Sequence, residues 1–348
     1  MPPPQAAGRQ STPVEKIAAS GETECFTMSG TIMDTNLPQP GEPVVQERLE
    51  AAPPPPPPVV ITPPAAESRL RRIGMAFLFW LIYLLMFGIC LTLLAVFMHF
   101  AHRGRGGPVW WGVVAQIGAV LSAIIPALVM ARIEKRPFGE FGLPAKNAFR
   151  RNFWVGTVWG IVSLSILMLA LRGAGAFEFG TVALHGIQIL KFAAYYAVFF
   201  LLTGFFEEFL VRGYSQWVLS RGLTFWPAAA LLSAAFGALH GANPGESKYG
   251  LFAAAMIGFF FCLTLRRTGD LWWAVGFHMS WDWGESYFYS VPDSGGMITG
   301  HLLNSSFHGP DWLTGGSVGP EGSLLVFAVI VGLWVVFDRL YPDVKYAG

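Results

Sequence analysis

Charge is the first thing this sequence lacks. Asp, Glu, Lys and Arg make up only 13% of its 348 residues, against 53% hydrophobic. A soluble domain carries about 25% charged residues. Water cannot solvate so much apolar surface in a compact globule, so much of it is expected to face lipid. The net charge of +1 excludes a generally basic surface and with it a case for nucleic acid. Cysteine is scarce as well: Cys25, Cys90 and Cys262 form no CxxC and no Cys/His pair at zinc-site spacing. They read as incidental and do not report a redox compartment. A cleavable secretory signal is also absent, since residues 1–66 are polar and Pro-rich with no short apolar core before a small-residue cleavage site. That segment, with the run Pro53–Pro58, cannot bury enough apolar area to offset chain entropy. It reads as a disordered cytoplasmic tail of polyproline character, preceding a membrane-embedded domain over 67–348.

What is present is a series of long apolar runs: Ile73–His99, Val109–Ala131, Phe153–Leu171, Ile187–Phe206, Phe225–Leu239, Tyr249–Leu265, Leu271–Tyr289 and Gly322–Phe337. About 20 residues of helix cross the hydrocarbon. The runs are too long and too uniformly apolar for barrel strands. The fold class expected is therefore all-α, a polytopic membrane bundle of about eight transmembrane helices. The fifth and eighth runs are short. They either extend through Gly222–Thr224 and Gly316–Pro320 or cross only in part. With all eight crossing and the N-terminus cytoplasmic, 15 Lys and Arg residues fall on cytoplasmic flanks and 5 on the opposite side. This is the bias of the positive-inside rule, and it predicts both termini in the cytoplasm of a plasma or inner membrane.

Ionisable residues inside such runs are costly, about 2.5–3.5 kcal/mol even on lenient scales, and mark functional positions. Three clusters occur. In Gly204-Phe-Phe-Glu207-Glu208-Phe-Leu-Val-Arg212-Gly213, Glu208 and Arg212 are four apart and share a helix face, so they are expected to pair. Glu207 lies about 100° round the helix and is left for another partner. Phe236-Gly-Ala-Leu-His240 ends the fifth run, and His278-Met-Ser-Trp-Asp282 lies in the seventh, with His278 and Asp282 one turn apart. The predicted site thus draws on helices four, five and seven. A base, two imidazoles, an acid and a structural ion pair suit hydrolysis by activated water. Two chemistries fit. In one, His240, His278 and Asp282 hold a divalent metal such as zinc, which acidifies bound water. In the other, Glu207 with His240 activates water directly, and His278 with a neutral Asp282 stabilises the oxyanion. No His-Glu-x-x-His motif is present, so the chain is not a zincin.

Glu-Glu-x-x-x-Arg at 207–212, Phe-x-x-x-His at 236–240 and His-x-x-x-Asp at 278–282 occur in one order and spacing, preceded by Arg136-Pro-Phe-Gly-Glu-Phe-Gly-Leu143. In these the chain resembles the CAAX prenyl protease and bacteriocin-processing (CPBP, Abi-type) family of intramembrane endopeptidases, over about residues 130–290. The resemblance implies an all-helical peptidase in which Glu207 activates water with His240. It implies that His278 and Asp282 complete the site, and that Glu208 and Arg212 orient it. Asp282 stands where many members have Asn, and a charged Asp cannot donate to an oxyanion. The implied substrate is a membrane protein or lipid-modified peptide, of CAAX type or another membrane-associated kind, and the implied partner is the bilayer. Two other readings belong to different classes: an ion- or proton-coupled transporter, weakened by the lack of an internal repeat, and a non-catalytic scaffold or immunity protein.

Helix-depth counting puts Glu207 near the cytoplasmic face and His240 near the opposite one. A shared site then requires a fourth helix that runs on to Ser220, or a fifth helix broken near Gly237, Gly241 and Pro244. The Gly/Ser-rich stretch 290–322 contains Asp293, Asp311, His301 and His308 and reads as a partly ordered far-side loop.

Overall fold

Every one of the eight apolar runs forms a helix in the computed structural model, which describes residues 68–101, 110–243 and 245–346. The Pro-rich tail, Arg103, Arg105 and Pro244 lie outside the described residues. The helices are α1 (Arg69–Ala101), α2 (Trp111–Glu134), α3 (Arg151–Gly173), α4 (Ile187–Leu210), α5 (Gln216–Leu223), α6 (Phe225–His240), α7 (Lys248–Thr268), α8 (Trp272–Trp283), a single turn α9 (Asp311–Thr314) and α10 (Leu324–Leu340). Five helical stretches are long and apolar enough to cross a membrane: α1, α2, α3, the continuous rod Ile187–Leu223 and α7. The chain is an all-α polytopic membrane bundle. The helices α6, α8 and α10 are shorter, with 16, 12 and 17 residues. Neither short run is lengthened. Thr224, at φ 75°, separates α5 from α6, and the positive-φ residues Gly315, Gly316 and Gly319 break the chain before α10.

The fourth run is longer than its apolar stretch suggests. Helix α4 passes through a wide π turn (Val211–Ser215), kinked at Gly213, into α5. The extra turn lets the chain continue past the charged Glu-Glu-x-x-x-Arg segment. Glu207 therefore lies mid-rod, about 30 Å from its start and about 24 Å from its end at 1.5 Å per residue. On the other side, α6 is only about 24 Å long, short of the roughly 30 Å hydrocarbon core. His240 is its last residue. A rod that carries Glu207 near its middle and a short helix that ends at His240 are compatible with one shared site.

Small residues decide which helices touch. On α3, Gly156 and Gly160 face the backbone carbonyls of Trp273 and Phe277, and Gly276 of α8 faces that of Phe153. This is the small-xxx-small pattern by which membrane helices approach backbone to backbone. Ser280 Oγ donates to Thr157 O at 2.8 Å across the same seam. The contact anchors α8, which carries two of the predicted site residues. Its N-terminal end is fixed by buried Asp270, which accepts from Asn147 Nδ2 at 2.8 Å and from Asn152 Nδ2 at 3.1 Å.

The core has two large apolar clusters and a small third one around Tyr196, Phe200 and Tyr287. One large cluster joins α2, α5 and α6 with the Phe138–Phe141 turn, where Phe141 packs edge-on to Tyr214 and Trp217. The other large cluster joins α3, α7, α8 and α10 around Trp273, Phe260 and Phe337. The stretch after α8, expected as a partly ordered loop, is tied down. Its β2 (Ser306–Phe307) pairs antiparallel with β1 (Phe177–Glu178), and Tyr196 Oη donates to Thr299 O at 2.5 Å.

Candidate active site

The α4–α8 contact brings two of the three clusters together. Gly204 makes it close: an added Cβ there would lie 3.1 Å from His278 Cβ and 3.2 Å from Met279 N. Four residues on, the same face of α4 presents Glu208. His278 Nδ1–H donates to Glu208 Oε1 at 2.9 Å, and Arg212 Nη1 donates to that same oxygen at 3.0 Å. Glu208 and Arg212 are fully buried. The pair expected from their i, i+4 spacing is present, and it also carries the imidazole. Arg212 is interior, and its guanidinium lies 4.4 Å from the Phe236 ring centroid. Gly258 on α7 leaves room for Arg212 Nη2.

With Nδ1 committed to Glu208, His278 Nε2 faces two further carboxylates: Asp282 Oδ2 at 3.4 Å and Glu207 Oε2 at 3.6 Å. Glu207 is the more open of the neighbouring glutamates, with 29% side-chain exposure against none for Glu208. The free partner expected for Glu207 is thus His278. His240 approaches from the end of α6. Its Nδ1–H donates to Phe236 O at 2.8 Å, which leaves Nε2 outside that bond. Glu207, His240, His278 and Asp282 all line one cavity of about 540 Å³. Its walls are otherwise largely aromatic and aliphatic, including Phe199, Phe206, Phe236 and Phe261.

Asp293, Ser294, Gly296, Met297, Ile298, Val318 and Glu321 of the segment after α8 form one wall of this cavity, its roof. The carboxylates it contributes, Asp293 and Glu321, went unassigned in the sequence. A third, Glu285, sits one turn beyond Asp282. His278, Asp282 and Glu285 follow an i, i+4, i+7 pattern, and that signal could have revealed Glu285. Glu321 had no such signal, since only the tertiary fold returns it to α8. Burial, and next the neighbouring Glu321, push the Asp293 carboxyl up to about 8. His301 and His308 do not reach the cavity. His301 Nδ1–H donates to Leu303 O at 2.7 Å, and His308 Nε2 lies 3.1 Å from Ser306 Oγ. Among the described residues, the group of three His, Cys, Asp or Glu whose ligand atoms lie within 4.8 Å of one another is Glu285, Asp293 and Glu321. His240 contributes to no such group with His278 and Asp282.

No curated protein matches the chain. The family described as Type II CAAX prenyl endopeptidase Rce1-like matches residues 188–284, a segment that begins in α4, ends just past α8 and contains all three motifs. The match covers 97 of the 348 residues; over that segment it supports a CAAX-type peptidase in general terms and a place in the CPBP/CAAX protease family.

Proposed function

We propose that the protein is an intramembrane endopeptidase in which Glu207 activates water for attack on a peptide bond. One observation carries this reading: Glu207, His240, His278 and Asp282, supplied by three helices, line a single cavity. Glu207 takes a proton from water held between it and the open Nε2 of His240, and the hydroxide attacks the scissile carbonyl. The proton then passes from Glu207 to the leaving amine. His278, held through Nδ1 by Glu208, directs Nε2–H at the developing oxyanion, and Asp282, with Oδ2 3.4 Å from that nitrogen, flanks the same position. A version in which His240, His278 and Asp282 bind zinc would require them to converge on one ion. The arrangement of their side chains supports the glutamate-based version better.

The aromatic walls suit a substrate that carries apolar bulk next to its scissile bond, such as a lipid-modified C-terminal peptide of CAAX type or another membrane-associated peptide. Both termini are assigned to the cytoplasm on the distribution of flanking basic residues. The test compares protein termini in membranes expressing the wild type or Glu207→Gln. New termini found only with the wild type support the peptidase and identify its substrates. Identical termini, with both proteins folded and inserted, would reject it in favour of transport or scaffolding.

A further inference from the structure

The cavity holds more carboxyl groups than the hydrolysis needs. Glu207, Glu246, Asp282, Asp293 and Glu321 line it, and among the described residues its lining includes no Lys or Arg. Glu285 lies behind this wall, fully buried, and neither of its oxygens accepts a hydrogen bond. The nearby Trp281 indole falls outside hydrogen-bond geometry. A buried carboxylate without a partner is among the costliest groups a fold can hold. It is aimed at two other carboxylates that are each only partly satisfied. Asp293 Oδ2 accepts from Ser286 Oγ at 2.9 Å, and Glu321 Oε2 accepts from Ser294 Oγ at 2.9 Å.

We propose that Glu285, Asp293 and Glu321 form a binding site for a hard divalent cation of calcium size, between the end of α8 and the segment that roofs the cavity. The spacing suits it. Oxygens bound to one Ca²⁺ at 2.3–2.6 Å are at most about 5 Å apart, and one oxygen from each of the three falls within 4.8 Å of the others. The donor set is all carboxylate. Such a set favours Ca²⁺, Mg²⁺ or Mn²⁺ over metals that seek thiolate or imidazole. Three protein carboxylates converging from separate segments suit Ca²⁺, whereas Mg²⁺ keeps several waters and takes one or two carboxylates. The roof also comes close enough to act as part of the site: a Cβ added at Gly319 would lie 3.2 Å from Glu285 Oε1. The ion would neutralise Glu285 and pin the roof to α8. None of this depends on the peptidase reading, because the test measures binding.

The test uses full-length protein in detergent, stripped with a chelator and titrated with Tb³⁺ under tryptophan excitation. Trp281, one helical turn before Glu285, serves as the energy donor. The expected result is saturable Tb³⁺ emission that Ca²⁺ displaces, with affinity at least tenfold weaker in Glu285→Gln. Glu321→Gln, which alters the more exposed roof, is expected to weaken binding by the same factor and keeps the test decisive if Glu285→Gln does not fold. Ca²⁺ is also expected to raise the melting temperature of the wild type and not that of Glu321→Gln. Absence of saturable emission in the wild type, or wild-type affinity in Glu321→Gln, would overturn the site.

Discussion

His278 Nδ1 and Glu208 Oε1 are 2.9 Å apart, and the same oxygen holds Arg212 at 3.0 Å. One carboxylate oxygen therefore couples an ion pair along the fourth rod to an imidazole on α8. Removing Arg212 would leave Glu208 as a buried charge with only His278 beside it. Breaking a buried pair from one side costs about 3–5 kcal/mol. Arg212→Ala is accordingly expected to unfold at markedly lower denaturant or temperature in detergent and to lose activity with it. Wild-type stability in that variant would show that the pair carries no weight. Glu208→Gln, which keeps the shape and one acceptor oxygen, is expected to fold and to lose activity through a misaligned His278.

Glu207 is the carboxylate of the pair that is open to the cavity. General-base catalysis contributes about 10²–10⁴ in rate, and Gln preserves the volume without the basicity. Glu207→Gln is expected to lower the cleavage rate of a lipid-modified peptide by at least that range while membrane insertion and melting temperature stay put. A variant that cleaves within tenfold of the wild type would remove Glu207 from the role of base.

The helical elements and the Glu208–Arg212 pair were legible from local spacing, because hydropathy runs and i, i+4 faces are properties of consecutive residues. What the runs could not report was the position of Glu207 near the middle of a longer helix. A hydropathy window ends where charges begin, yet the helix continues through a π turn at Val211–Ser215. Pairing of His278 with Glu208 was equally hidden, since residues 70 apart meet only after α4 and α8 dock. The roof carboxylates Asp293 and Glu321 lie in a Gly- and Ser-rich segment whose order comes from distant anchors, such as Phe307 against Phe177. No periodicity in that segment could announce them.

The docking itself can be tested at Gly204. A methyl group there would come to 3.1 Å from His278 Cβ and 3.2 Å from the Met279 amide nitrogen, so the two helices would have to part by a few tenths of an ångström. Overpacking of this kind costs about 1–3 kcal/mol, partly offset by the roughly 1 kcal/mol that Ala gains over Gly in a helix. Gly204→Ala is therefore expected to be nearly neutral in stability but reduced in activity, and Gly204→Val to be inactive. Gly88→Ala on α1, where a Cβ meets nothing within 4 Å, is the matched control and is expected to retain full activity. Equal activity in Gly204→Val and the control would dismiss close α4–α8 approach as a requirement.

Asp270 offers a pH test away from the cavity. It lies between α7 and α8, where burial raises its carboxyl above the ordinary range, against the opposing pull of amide donors from Asn152 and Asn147. The fold thus favours the protonated form more than the unfolded chain does. An unfolded Asp releases its proton near pH 3.9, while the folded group holds its proton to higher pH. By linkage, the unfolded state binds fewer protons in that interval, and stability falls as pH rises through it. The contribution is fully present below the unfolded value and is lost once pH passes the folded one. Asp270→Asn cannot titrate. The difference in melting temperature, wild type minus variant, is therefore expected to decrease as pH climbs from about 4 and to level off above the folded value. A difference that grows with pH would mean that the hydrogen bonds from Asn147, Asn152 and the Trp272 amide outweigh burial and hold Asp270 below its unfolded value.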